Sequence, residues 1–142
     1  MSCCRDLMKT DLKCIYPEDS VHDAACRMRD TNIGFLPVCD ETGEAIGTVT
    51  DRDLAIRALA EKLPYSTPVQ NVMSRDIVAC TEDDPIERAE ELMGQHHVSR
   101  ILCTDENGLL VGVISLSDLA EKADGPAVVD TLRQIASREA HV

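Results

Sequence analysis

Aromatic residues are almost missing from this chain: one phenylalanine, two tyrosines and no tryptophan in 142 residues. A core built without them is aliphatic, packed by Leu, Ile, Val, Ala and Met, and an apolar content of 44% suffices for a folded protein. Long apolar runs are missing too. None approaches the roughly 18 residues of a membrane span, and the start Met-Ser-Cys-Cys-Arg-Asp has no signal-type apolar stretch. The expected location is therefore the cytoplasm, with no membrane partner. Positive charge is scarce, with 14 Lys and Arg against 26 Asp and Glu and a net charge of −12. That argues against nucleic acid as a partner, yet a local basic group can still hold a small anion. The chain also lacks a Gly-rich phosphate loop, a GxSxG turn and CxxC or HExxH spacings. Neither catalysis nor a bound metal is expected.

What is present is a stretch used twice. Gly47-Thr48-Val49-Thr50-Asp51-Arg52-Asp53-Leu54-Ala55 returns as Gly112-Val113-Ile114-Ser115-Leu116-Ser117-Asp118-Leu119-Ala120, at an offset of 65. The same offset pairs Met8 with Met73, Asp19 with Asp84, Ala24 with Ala89, Met28 with Met93 and Gly43 with Gly108. Chance does not align paired glycines, paired helix faces and a paired strand-turn-helix at one offset, so the chain is an internal duplication. Two units of this size are marginal alone and are expected to share a core.

Each copy reads as strand, helix, strand, strand, helix. In the first copy a strand is expected around Lys13-Cys14-Ile15. Ser20 and Asp23 form a capping box, and Val21, Ala24, Ala25 and Met28 mark one helix face. Phe35 to Cys39 is the second strand, Asp40-Glu41-Thr42-Gly43 a hairpin turn, and Ala45 to Val49 the third strand. A helix from Thr50 to about Leu63 follows. The second copy repeats the plan, with a strand near Ile77-Val78 and a capping signal at Asp84-Pro85-Ile86-Glu87. Pro126 opens a terminal helix, whose apolar face is Val128, Val129, Leu132, Ile135 and Ala136. The expected class is α/β in α+β layers, with two pseudo-twofold-related repeats and a C-terminal helix. The domain boundaries read as 1–63, a linker at 64–71, 72–124 and a tail at 125–142.

Seven cysteines without a secretion signal read as reduced, small buried hydrophobes. Cys14 and Cys39 fall on adjacent predicted strands, as do Cys80 and Cys103. A disulfide or redox switch at Cys14–Cys39 is the alternative. Cys3-Cys4 is expected to be exposed and oxidation-prone. His96-His97 suits a helix C-terminus; a metal site with His22 or cysteine is the weaker reading.

The span from Leu7 to about Ala123 resembles a pair of CBS domains, the tandem unit called a Bateman module, of the small stand-alone type. The resemblance rests on Leu-Met-Lys-Thr at 7–10, Phe-Leu-Pro-Val-Cys-Asp at 35–40, Gly-Thr-Val-Thr-Asp-Arg-Asp-Leu at 47–54 and their copies. It implies a non-catalytic regulatory module, homodimeric, acting on an unknown regulated protein. It also implies an adenosine-containing ligand in clefts between the repeats: AMP, ADP or ATP, with S-adenosylmethionine as a further candidate. By the same resemblance, Thr50 and Asp53 hold the ribose in one cleft and Ser115 and Asp118 in the other. Ile33, Phe35 and Pro37, and Val98 and Ile101, wall the adenine, and Arg100 meets phosphate. The chemistry is sound, because a carboxylate accepts both ribose hydroxyls and Arg is a planar fork. Thr50-x-x-Asp53 and Ser115-x-x-Asp118 are equally helix caps, and the two roles can coexist. The copies differ: Phe35 stands at the place of Arg100, Leu102 at that of Pro37, and Leu116-Ser117 at that of Asp51-Arg52. A stress-response interaction scaffold with empty clefts, redox-responsive through its cysteines, is the alternative.

Overall fold

Alternating burial and side-chain caps carry most of the local structure. The computed structural model describes residues 2–11, 13–122 and 125–139, with side chains for 2–11, 13–121 and 129–136. The order is α1 (Cys4–Leu7), α2 (Val21–Thr31), β1 (Phe35–Cys39), β2 (Ala45–Thr50), α3 (Asp51–Asp53) running into a π-helical stretch (Leu54–Leu59), and a 3-10 turn (Val69–Asn71). β3 (Ala79–Thr81), α4 (Ile86–His96), β4 (Arg100–Thr104), β5 (Leu110–Ser115), α5 (Leu116–Lys122) and α6 (Gly125–Glu139) follow. The class is α+β. No described helix is long and apolar enough to cross a membrane.

The capping box at Ser20 forms as its spacing requires: Asp23 N–H donates to Ser20 Oγ, and Ser20 N–H donates to Asp23 Oδ2. The helix ends at Asn32 in the left-handed region, and its counterpart α4 ends the same way at His97. The expected cap at Asp84 is not one. Pro85 occupies the N-cap, and Asp84 instead accepts from Thr81 N–H, closing the turn before α4.

The chain divides into two compact units, and their composition cuts across the duplication. One unit joins the lead-in before Lys13 to the chain from Val78 onward; the other holds Lys13–Ile77. Each lead-in thus packs on the other copy's hairpin. Lys9 bridges Val113 on β5, and Ser74 bridges Thr48 on β2. The paired methionines and paired glycines of the repeat meet here. A Cβ on Gly112 would sit 2.4 Å from Met8 Sδ, and one on Gly47 would sit 2.8 Å from Met73 Sδ and 2.7 Å from the Ser74 carbonyl.

In the Lys13–Ile77 unit β1 and β2 form an antiparallel hairpin, and the strand expected at Lys13–Ile15 shrinks to a single parallel bridge, Ile15 to Val38. In the second-copy unit the equivalent strand survives as β3, parallel to β4, and Leu102 N–H donates to Val78 O there. Pro37 stands at the place of Leu102 and has no N–H to donate, so that rung is lost. Both hairpins carry a bulge at the same place, Val38/Cys39 and Cys103/Thr104.

Each unit has its own aliphatic core. One gathers Ile15, Val21, Ala24, Met28, Leu36, Val38, Val49, Val72 and Met73; the other gathers Cys4, Leu7, Cys80, Ile86, Met93, Ile101, Cys103, Ile114 and Leu119. The cysteine pairs fall one residue out of register with each other, because Cys80 and Cys103 match Ile15 and Val38. Successive strand residues face opposite sides, so Cys80 and Cys103 point into their core while Cys14 and Cys39 belong to neither cluster. Cys4 is fully buried against them, not exposed as expected.

The terminal helix packs on α4 with a different face from the expected one. Thr131 and Ile135 are buried, Thr131 Oγ1 donates to Glu90 O, and the Gln134 carbonyl lies 2.5 Å from His97 Nδ1. Val129, Leu132 and Ala136 are exposed, and the Val128 side chain lies outside the described residues.

Candidate functional site

In each unit the hydroxyl and the carboxylate of the duplicated stretch sit where a strand passes into a helix. Thr50 ends β2 and caps α3: Asp53 N–H donates to Thr50 Oγ1 (3.1 Å), and Thr50 N–H donates to Asp53 Oδ2 (2.9 Å). Ser115 ends β5 and caps α5 in the same way, at 3.2 and 2.9 Å. The capping box therefore holds one carboxylate oxygen in each copy. The other oxygen, Oδ1, faces a cation: Arg57 Nε at 3.9 Å from Asp53, and Lys9 Nζ at 3.7 Å from Asp118. Arg57 is also anchored, donating to the carbonyls of Val72 and Met73. Lys9 is largely exposed at 71%, whereas the Asp118 side chain is only 8% exposed.

Strand register brings further expected residues to these turns. Phe35 is the direct partner of Thr50, and Pro37 of Thr48, so both lie on the Thr50 face of the hairpin. Phe35 is half-buried, Pro37 is buried, and Ile33 is exposed just before β1. In the second-copy unit Arg100 is the direct partner of Ser115. Ile101 does not share that face. It is 1% exposed, pairs with Ile114 and packs in the core, because alternation sends it to the opposite side from Arg100. Leu102 takes the place beside Arg100, and Val98 is half-buried against the core.

The two turns differ in their second partners. Ser117 Oγ lies 2.8 Å from Ser115 Oγ, so the Ser115 hydroxyl is shared between the Asp118 N–H and the Ser117 hydroxyl. In the first copy Asp51 N–H donates to Gly34 O, and the Asp51 carboxylate lies against Gly34 so closely that a Cβ there would meet it at 2.4 Å. Leu116 N–H makes the matching bond to Ser99 O. Arg57 was legible as an i,i+4 partner of Asp53. Lys9 carried no local signal, since only the exchange of lead-ins brings it to Asp118.

Cys14 and Cys39 lie 3.4 Å apart, Sγ to Sγ, with both thiols free. The hydrogen bond from Cys39 brings the Cys14 thiol down to about 7 against the opposing effect of burial, and Arg27 adds to the fall. Bonding to Cys14 and burial push Cys39 up. Among the described residues no group of three or more His, Cys, Asp or Glu side chains is arranged to hold a metal ion.

The CBS-domain family model matches residues 4–59 and 69–125. The chain belongs to the CBS domain family. It is 38% identical over 120 residues to the CBS domain-containing protein YhcV of Bacillus subtilis, covering 84% of each chain. It is 30% identical over 138 residues to hypoxic response protein 1 of Mycobacterium tuberculosis, covering 96% of each. Among solved structures it resembles hypoxic response protein I with two coordinated zinc ions, at TM-score 0.79 and 27% identity, covering 87% of this chain and all of that one. The CBS pair of MJ0100, in complex with methylthioadenosine and S-adenosyl-L-methionine, shares the fold at TM-score 0.76 and 24% identity, covering 85% and 94%. CBSX2 in complex with AMP does so at TM-score 0.74 and 23% identity, covering 85% and 95%. Two of these solved CBS pairs thus hold adenosine compounds.

Proposed function

We propose that this CBS pair is a non-catalytic sensing module that binds an adenosine-containing ligand, AMP, ADP or ATP, at its two strand-to-helix turns. The observation that carries this reading is the duplicated carboxylate. Asp53 and Asp118 each have one oxygen fixed by a backbone N–H and the other turned to an exposed cation that a ribose diol can displace or share. Phe35 and Pro37 supply an apolar wall beside Thr50, and Arg100 supplies phosphate affinity beside Ser115. Calorimetry of the reduced protein with AMP, ADP, ATP and S-adenosylmethionine tests it. Micromolar binding, about −8 kcal/mol, lost in Asp53→Ala or Asp118→Ala, supports the assignment. Binding untouched by either variant, or no heat with any ligand, returns both aspartates to helix caps.

The chain acts as a homodimer in this reading. An open apolar groove of about 310 Å³ runs between α2 and the π-helical stretch, lined by Val21, Ala25, Leu54, Ala58, Leu59 and Tyr65. Leu59 and Tyr65 are 73% and 78% exposed there, whereas α6 covers the corresponding helix in the second-copy unit. A second copy of the chain covers the groove. Sedimentation of Leu59→Arg as a monomer beside a dimeric wild type supports this; a monomeric wild type removes it.

A second reading, an interaction scaffold that answers to oxidation, is favoured by the 3.4 Å approach of Cys14 to Cys39. Intact mass and oligomeric state with and without reductant test it. A protein that keeps all thiols and its assembly in air counts against it.

A further inference from the structure

Three thiols meet in the core of the second-copy unit, and neither the turns nor the Cys14–Cys39 pair uses them. Cys80 Sγ lies 3.6 Å from Cys4 Sγ and 3.6 Å from Cys103 Sγ. All three are buried, at 4%, 0% and 0% exposure. They come from three places in the chain: α1, β3 and β4. The cover over Cys80 on one side is α1 itself, a single helical turn near the chain start. It is held by Cys4 N–H to Asp84 O, Arg5 N–H to Glu82 O and the surface pairs of Arg5 with Glu82 and Asp83. A single turn held by two backbone bonds and surface ion pairs opens far below the cost of global unfolding, and its opening uncovers Cys4 and Cys80 together.

We propose that Cys4 and Cys80 form a reversible disulfide that latches the lead-in to β3 when a low-molecular-weight disulfide is in excess. The choice of pair follows from geometry. Cys80 and Cys103 are direct partners across parallel strands, which fixes their Cβ atoms near the strand spacing of about 4.8 Å. That exceeds the roughly 3.5–4.5 Å Cβ separation of a disulfide. Cys4, on a separate short helix, can adjust. Hydrogen bonding to Cys103 and Cys4 holds the Cys80 thiol below its ordinary range against burial, which makes it the attacking group. Its thiolate attacks one sulfur of the small disulfide and expels one small thiolate. Cys4 then attacks the Cys80 sulfur of the mixed disulfide and expels the second. Two protein thiols are oxidised, one small disulfide is reduced to two thiols, and the protein protons leave on those thiols. The covalent loop so closed spans the whole Lys13–Ile77 unit in sequence. It also fixes the segment carrying Lys9, the cation beside Asp118.

The test uses the full chain in a Cys3→Ser background, equilibrated with graded mixtures of oxidised and reduced glutathione, alkylated and digested with trypsin without reduction. Peptides 1–5, 76–88 and 101–122 then each hold one cysteine. The expected result is a cross-linked pair of 1–5 with 76–88, two hydrogens lighter than its parts, with Cys103 alkylated. Dithiothreitol reverses it, Cys4→Ser abolishes it, and Cys103→Ser retains it. The unsubstituted core decides the matter alone if Cys103→Ser fails to fold. The proposal falls if Cys4 and Cys80 stay free at the ratio that glutathionylates Cys26. It falls equally if glutathione accumulates on Cys80 without the link, or if 76–88 links to 101–122 instead.

Discussion

On α2 only Val21, Ala24 and Met28 are buried, and Ala25 faces the open groove; on α4 Ile86, Ala89, Glu90, Leu92, Met93 and Gly94 are all buried. The two helices descend from one ancestral segment and carry the same cap geometry at their C-termini. Their difference comes from α6, which packs on α4, bonds Thr131 to the Glu90 carbonyl and sets Gln134 against Gly94. A duplicated fold therefore leaves its two helix faces with opposite fates: one is buried within the chain, and the other lines an open groove. The strand-to-helix turns repeat the lesson. Asp53 is held by an arginine of its own helix, while Asp118 is held by a lysine from the exchanged lead-in.

The sharpest way to break this comparison is at the rung that separates the two sheets. Leu102→Pro removes the N–H that bonds Val78 O and should cost about 3 kcal/mol, read as a lower urea midpoint, whereas Pro37→Ala should change stability by less than about 1 kcal/mol. The α6 cover comes next. Ile135→Ala empties a nearly buried site and should cost about 2 kcal/mol, while Leu132→Ala, at an exposed position of the same helix, should stay within about 0.5 kcal/mol. Thermal melts of the two variants separate the packing face from the outer one.

The exchanged methionines offer a subtler pair. A methyl on Gly47 meets the Ser74 backbone carbonyl, which cannot yield, whereas the nearest atoms to one on Gly112 are Sδ, Cγ and Cβ of the Met8 side chain, the first two of which can rotate away. Gly47→Ala should therefore lose about 1–3 kcal/mol, and Gly112→Ala measurably less in the same denaturation series. Thr50→Ala and Ser115→Ala each remove one N-cap oxygen and should cost about 1 kcal/mol; a much larger loss in either would show a role beyond capping. The smallest effect is chemical. Cys14 should alkylate with a rate that rises with pH through about 7, because the thiolate is the reacting form. Buried Cys39, pushed the other way, should stay unlabelled in the same peptide map.

Much of the local structure was legible beforehand. β1 runs over Phe35–Cys39 as its pattern required, α2 starts at the residue after Ser20, and both Thr/Ser-x-x-Asp boxes close as caps. These features depend on residues within four positions of each other, where side-chain spacing nearly fixes the outcome. The misreadings come from local competition, from strand facing and from distance. Asp84 closes a turn because Pro85 takes the N-cap. Ile101, counted with the adenine wall, pairs with Leu36 in the repeat, and strand alternation turns both into their cores. Cys4 looked like a loose terminal thiol because nothing near it in sequence shows that Cys80 and Cys103 lie beneath it.

By itself, the sequence determined the duplication, the period of each element, the aliphatic character of the core and the pairing of each hydroxyl with its aspartate. All follow from short-range sterics, hydrogen-bond spacing and composition. Only the tertiary structure decided that each lead-in serves the other copy's hairpin, that α6 packs through Thr131 and Ile135, that Lys9 meets Asp118 and that three thiols converge. Those outcomes depend on which surfaces find each other across distant parts of the chain, and burial is non-directional and carries no local code.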